Sequence, residues 1–515
     1  MRRISDPSRT SDVSRDSDGS RGSDASRDSD GSRGSDGSRN ADGTRLSRRA
    51  LLRSGAIAAV GVGGAGCLTT DLGGDDGSGD GTASDGEAFP KPTYGDPDRE
   101  YRLTATVGEV DVGDGTTVET WLYDGQYPGP EIRAVEGERV RVTVANELPE
   151  STSVHWHGMA LPGENAMDGV PGVTQPPIEP GEEFVYEFDV GPTGTHWYHS
   201  HSGLQLDRGL LGPLVVEEAD PHVAYDREHT VVIDELLTDE PRVTRSNGHG
   251  HMGGGFADGP AYDGTLIGGR LPTDPAVLDA EPGERVRLRF VNAAGSTTYR
   301  VSVGGHSMRV THTDGPAVEP VSVDAVDIGM GERYDVVIEV DGGGPFAVRA
   351  DPLDRTMPGG RALLGDGSAD ETPVDDPLGS HVLQLSELRS VTPQPGVDGS
   401  PDRTVDLTLA PGTDDDEEAA WTINGQTFPD ADPLRVREGE HVRLRIANRS
   451  PMRHPMHLHG HHFTVGDAVK DTVTVPGHMG QRTLDIVADN PGRWVFHCHH
   501  LYHMETGMIR LLTYE

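Results

Sequence analysis

The chain has 515 residues, with 44 Lys or Arg against 85 Asp or Glu and a formal net charge of −41. Such acidity excludes nucleic acid as a partner, because phosphates need a basic surface to neutralise them. The length allows about three domains, and two cysteines, Cys67 and Cys498, exclude a disulfide framework.

Gly and Pro are abundant, at 69 and 37 residues, and aromatics are only 5% of the chain. That composition favours many short strands and turns over helices. The only lysines are Lys91 and Lys470. Residues 1–66 hold 12 Arg against 9 Asp, so the remainder carries about −44. So acidic a surface, nearly free of lysine, reads as halophilic, its self-repulsion screened by salt.

Residues 8–45 repeat a Ser-Arg-x-Ser-Asp-x hexad with Arg9, Arg15, Arg21, Arg27, Arg33, Arg39 and Arg45 in register. With almost nothing apolar to bury, this repeat is expected to stay disordered. Ser47-Arg48-Arg49-Ala50-Leu51-Leu52 and the weakly apolar run over 56–66 resemble a twin-arginine export signal. That run is too short to span a bilayer. Gly64-Ala65-Gly66-Cys67 resembles a lipoprotein processing box, so a lipidated Cys67 would tether the chain to a membrane. Residues 67–98 read as a flexible acidic linker. The expected location is the cell surface or the extracellular space.

From residue 99 the chain repeats itself. Gly137-Glu138-Arg139-Val140-Arg141-Val142 is matched by Gly283-Glu284-Arg285-Val286-Arg287-Leu288 and by Gly439-Glu440-His441-Val442-Arg443-Leu444. Each copy reaches an Asn (Asn146, Asn292, Asn448) nine residues after its Gly. The alternation marks strands, and Gly-Glu marks the turn before each. Three units of β-sandwich size follow, expected over 99–219, 220–375 and 376–515. The fold class is all-β: three tandem Greek-key sandwiches. Asn448-Arg449-Ser450 is a formal glycosylation sequon, but Asn448 belongs to the repeat and is expected to be structural.

Counting from each Asn shows which units can bind metal. Nine and eleven residues on, the first unit has His155 and His157, the third has His457 and His459, and the second has Val301 and Val303. Six residues on, only the third has a histidine, His454, where the others have Thr152 and Thr298. Five residues after Gly194 comes His199-Ser200-His201, and five after Gly492 comes His497-Cys498-His499. Five after Gly344 comes Arg349-Ala350-Asp351. In the same register Gln205 stands for His503 and Leu210 for Met508.

The third unit therefore holds two His, one Cys and a Met, the ligand set of a blue-copper centre. The candidates are His454, Cys498, His503 and Met508. Side chains alternate along a strand, so His497 and His499 point away from the face that carries Cys498. Four His-x-His pairs, two from each terminal unit, predict a second metal cluster between units one and three. Eight imidazoles suit three copper ions. The middle unit is expected to be a spacer or a substrate wall.

His-Trp-His-Gly at 155–158, Trp-Tyr-His-Ser-His at 197–201, His-Pro-x-His-x-His at 454–459 and His-Cys-His-x3-His-x4-Met at 497–508 resemble the four copper motifs of the multicopper oxidases. The resemblance covers residues 99 to 515 and is to the three-domain laccase type, with cupredoxin-like domains. It implies four copper ions. Type 1 would take His454, Cys498, His503 and Met508, and type 2 would take His155 and His457. The two type 3 ions would share His157, His199, His201, His459, His497 and His499. It further implies one-electron oxidation of a small-molecule donor at type 1 and reduction of O2 to two waters at the trinuclear cluster. Asp168 matches an acidic residue that relays protons in the family. Where many bacterial members have a Glu directly after the last type 1 His, this chain has Met504, and Glu505 is expected to face elsewhere.

The expected donors are easily oxidised phenols and aromatic amines. The rival reading is a Cu(I) or Fe(II) metallo-oxidase, and a third is a copper carrier, which would need only the type 1 set. The motif Gly248-His249-Gly250-His251-Met252-Gly253 reads as a solvated loop. His196, His461, His462 and His500 fall outside the ligand register and are expected to support ligands or face solvent. A monomer is expected.

Overall fold

The computed structural model describes residues 89–246, 256–342, 344–365, 372–397, 399–412 and 420–515. The arginine hexads, the twin-arginine stretch, Cys67 and the Gly-His motif at 248–253 lie outside the described residues. Of the linker predicted over 67–98 only 89–98 is described, and its end is tied down. The Gly95 amide donates to the Glu187 carboxylate, and the Asp98 amide donates to the Arg139 carbonyl at 2.7 Å. Arg139 and Arg141 reach back to the carbonyls of Thr93 and Gly95 at 3.2 and 2.9 Å. Composition alone could not reveal this, because the anchoring arginines sit on a distant strand.

Each repeat builds the same device. A turn with Gly137, Gly283 or Gly439 at φ +81°, +88° or +80° leads into Arg139–Asn146, Arg285–Asn292 or His441–Asn448. These are φ values that only glycine adopts without strain. Each strand then pairs parallel with the strand that opens its unit: Arg99–Gly113, Arg227–Leu236 and Arg403–Pro411. Alternation puts Val140, Val142 and Val144, then Val286, Leu288 and Phe290, then Val442, Leu444 and Ile446, into the cores. Burying each such side chain is worth about 1.5–3 kcal/mol. The repeated Asn closes the loop beyond. Asn146 donates to the carbonyls of Glu150 and Ile178, Asn292 to Thr297 and Ile328, and Asn448 to Met452 and Pro476.

Three cupredoxin-like sandwiches result. In the first, two four-stranded sheets face each other. The second and third each oppose a six-stranded sheet to a five-stranded one. The apolar cores of the first and third sandwiches form one cluster, whereas the middle sandwich has its own. Units one and three are thus joined along the seam that holds the histidines.

Where the third sandwich meets the middle one, Lys470 is fully buried beside Asp314 (3.0 Å) and Glu332 (3.4 Å), and donates to the Thr313 hydroxyl at 2.6 Å. Burial alone would lower its pKa, but Asp314, Tyr334 and Glu332 together outweigh that and keep the ammonium charged. Removing one partner of a buried ion cluster strands the others. Lys470→Met is therefore expected to cost about 3–5 kcal/mol, read as a lower denaturant midpoint at unchanged slope.

Candidate metal centre

The strand His155–His157 runs antiparallel to Gly194–His199, with His155 opposite His199. In the third sandwich His454–Leu458 runs antiparallel to Arg493–Cys498, placing His457 opposite His497 and Met456 opposite Cys498. Beyond Cys498 a short helix, Leu501–Glu505, carries His503.

The two strand pairs meet. Ligand-capable atoms lie within 4.8 Å of one another in the groups His155/His157/His457, His157/His199/His499 and His201/His459/His497. Each group draws on both terminal sandwiches, and all of these rings are buried. On the opposite face of the Arg493–Cys498 strand, His454, Cys498 and His503 form a separate group. Their Nδ1 atoms are 3.0 Å apart, and the Cys498 sulfur lies 3.5 and 3.6 Å from them. Met508 is fully buried in the same core, and its carbonyl accepts from the Cys498 amide at 3.1 Å.

The donor set calls for cations. His155, His199 and His457 each direct Nδ1 at a carbonyl, of Asp168, Ser200 and Asp471 respectively, at 2.8–2.9 Å. Their Nε2 atoms are buried and have no partner among the described residues. His459 Nδ1 faces both Asp168 carboxylate oxygens at 3.1 Å, and His497 Nδ1 faces the Cys498 carbonyl at 2.9 Å. The proton of each therefore sits on Nδ1, leaving two unprotonated Nε2 atoms only 3.1 Å apart. Two lone pairs cannot bond each other, but a metal between them satisfies both. Protonation is no remedy: burial, then neighbouring imidazoles, push His199, His459 and His497 well below the ordinary value, and His201 to about 3. Burial likewise pushes the Cys498 thiol up, so only a bound cation makes it a thiolate. Imidazoles with one thiolate suit copper.

In the first sandwich the corresponding face is a polar plug. Thr152 and Ser200 both donate to the Gln205 side-chain carbonyl at 2.7 Å. These residues occupy the register of His454, Cys498 and His503.

Sequence reasoning missed Asp471. It follows buried Lys470, is itself buried, and its carboxylate lies 3.4 Å from His157 Nε2 and 3.5 Å from His457 Nδ1. Burial would raise its carboxyl, but Arg333 outweighs that and holds it well below the usual range. Asp168 holds the analogous place against His155 and His459. The available signal was Lys470, one of two lysines in the chain.

Of the histidines outside the ligand register, His196, His461 and His500 are buried and His462 is half-buried. His196 contacts the Pro192 carbonyl at 2.8 Å, and His461 lies between the His459 carbonyl and the Tyr514 hydroxyl. His462 sits 3.7 Å from Asp471. His500 stacks on His503, with ring centroids 3.6 Å apart and 4° between planes, and its Nε2 is 3.6 Å from Asp258. His500 also lines a cavity of about 480 Å³ with Asp258, Met330, Arg355, Met452 and His478. Met504 is buried against Trp197 and Tyr502, while Glu505 is exposed.

Family profiles described as multicopper oxidase match residues 104–221, 225–364 and 399–515. "Multicopper oxidase MmcO" of Mycobacterium tuberculosis is 38% identical over 447 residues, covering 80% of this chain and 86% of the relative. "Copper resistance protein A" of Escherichia coli is 30% identical, covering 80% and 92%. "Laccase-4" of Trametes villosa is 31% identical, covering 79% and 87%. Among solved structures, Fet3p, described as a multicopper oxidase that functions in iron import, superposes with a TM-score of 0.72 at 22% identity, covering 81% of this chain and 90% of that one. The laccase from Botrytis aclada superposes with 0.70 at 25% identity, covering 80% and 87%.

Proposed function

The chain belongs to the multicopper oxidases, copper enzymes that oxidise small molecules with dioxygen, and we propose that its donors are phenols and aromatic amines taken up beside His500. One observation carries the proposal: the 480 Å³ cavity is lined by His500, which stacks on His503 of the Cys498 group. The volume suits a single aromatic ring.

When bound, copper supplies one-electron redox chemistry at the Cys498 group and four-electron reduction of O2 at the histidine trio. The chain's residues do the rest. Burial would raise the Asp258 carboxyl, but the contact with His500 and the charge of Arg355 hold it at about 2, so at neutral pH it is an ionised acceptor. A phenol O–H or aniline N–H donates to it, and the ring lies against His500. Ser450 donates to or accepts from His454 Nε2 at 2.8 Å, fixing the ring with Nδ1 towards Cys498. From Cys498 to the rings of His497 and His499 the path is covalent throughout. His454, Cys498, His503 and Met508 would hold the type 1 copper. His155 with His457 make up type 2, and the six remaining imidazoles make up type 3.

Asp258→Asn weakens a charge-assisted hydrogen bond of about 1.5–3 kcal/mol. It is therefore expected to lower kcat/KM for a dimethoxyphenol about 10- to 100-fold, mostly through KM. Unchanged kinetics would place the donor elsewhere.

Met330 and Met452 in the same cavity favour a second reading, Cu(I) as donor, since thioethers suit that ion. Oxygen-electrode rates on the phenol with and without added Cu(II) separate the two. Strong dependence on excess copper would turn the assignment to metal ions. Run across a salt series, the same assay tests the halophilic reading, for which activity rises with salt. The export and tether readings rest on residues 47–67 and are tested by fractionating cells that express the full chain.

A further inference from the structure

The middle sandwich places no histidine in the ligand register, yet one of its turns reaches the trio. Gly331 has φ +81°, and a Cβ there would stand 2.9 Å from His157 Cε1 and 2.9 Å from His499 Cδ2. Its backbone is thus pressed against two rings of one group, one from each terminal sandwich. Two residues on, fully buried Arg333 grips Asp471 with two parallel bonds of 2.7 and 2.6 Å. Its remaining donors go to the carbonyls of Thr195 (3.0 Å), Gly331 (3.0 Å) and Asp314 (2.9 Å). Thr195 lies on Gly194–His199, the strand that ends in a candidate ligand. One guanidinium therefore ties together all three sandwiches, and the carboxylate it grips faces His157 and His457.

We propose that the Gly331–Arg333 turn of the middle sandwich is a positioning element of the trinuclear centre. Gly331 sets how closely His157 and His499 approach, and Arg333 holds Asp471 against the outer nitrogens of His157 and His457. A metal-bound imidazole needs its second nitrogen engaged, because that bond fixes ring orientation and tautomer. The fork of an arginine matches a carboxylate in a plane that a lysine ammonium cannot reproduce. The inference rests on copper occupying the three histidine groups as proposed above.

A merely structural role has its own controls in the chain. Gly283 also has positive φ, +88°, but nothing lies within 4 Å of its missing Cβ. Arg287 is as buried as Arg333 and pairs at 2.6 Å with Asp335, a carboxylate that contacts Arg289, Thr195 and His312 but none of the candidate ligands. Gly331→Ala and Arg333→Lys are therefore compared with Gly283→Ala and Arg287→Lys in copper-loaded full-length protein. The measurements are copper retained against a chelator, the type 2 paramagnetic resonance spectrum, the blue absorbance and the melting of the metal-free chain. The first pair is expected to hold trinuclear copper about 10- to 100-fold more weakly and to alter the type 2 spectrum, with the blue band kept. The controls are expected to lower melting only. The proposal is overturned if Gly331→Ala and Arg333→Lys retain copper with the parent spectrum, or if the controls change both equally. Should the parent chain itself take up copper only at the blue site, the assignment of the histidine groups fails first and this element falls with it.

Discussion

Cys498→Ser is expected to abolish the intense blue absorbance and to cut oxygen consumption with any phenol by more than about 10³-fold, as when one member of an interdependent catalytic set is removed. The substitution is nearly isosteric, so the fold has no reason to change. What goes is the soft donor between His454 and His503, 3.5 and 3.6 Å from their Nδ1 atoms. The hard hydroxyl left behind does not replace it. Copper should fall by about one ion per chain, with the histidine trio retained on its own ligands. A variant that stayed blue would remove Cys498 from the centre. A variant that lost all four ions would mean that the two sites do not load independently.

The second large effect is expected at Asp168, where two substitutions separate two jobs. Its carbonyl accepts from His155 Nδ1 at 2.8 Å through the backbone, which no side-chain change removes. Its carboxylate faces His459 Nδ1 at 3.1 Å. Asp168→Asn leaves an acceptor for His459 but no group able to carry a proton. It should keep full copper and lose about 10²–10⁴ in kcat, the usual weight of a positioned acid–base group. Asp168→Ala also strands His459 Nδ1 and should in addition bind trinuclear copper about 10- to 100-fold more weakly. If the Asn variant turns over like the parent, proton delivery belongs to another group. Buried Asp471, which faces His157 and His457 in the same manner, is the one to try next.

The chemistry of the centre was legible because it is carried by rare residue types at fixed offsets from a repeated Asn. His155 and His157 can be paired with His457 and His459 by counting alone. The strands were legible for the same reason, since alternation at Val140, Val142 and Val144 recurs at Val442, Leu444 and Ile446. Contacts made at a distance were not. Nothing near Arg333 in the chain announces Asp471, which is 138 residues away. The cavity beside His500 draws residues from separate loops of two sandwiches, and loops have no period to read. The anchoring of residues 93–98 escaped because a Gly- and Pro-rich stretch looks loose whenever its partners are out of sight.

The polar plug of Thr152, Ser200 and Gln205 has a consequence for the whole molecule. Around the trio, His155 and His157 answer to His457 and His459, His199 and His201 to His497 and His499, and Asp168 to Asp471, so the scaffold approaches a two-fold axis. The plug is where that pseudo-dyad is broken. With copper in the Cys498 group as proposed, exchanging a handful of side chains on one face would let reducing equivalents enter from the C-terminal half alone, on an architecture that has no preferred direction of its own.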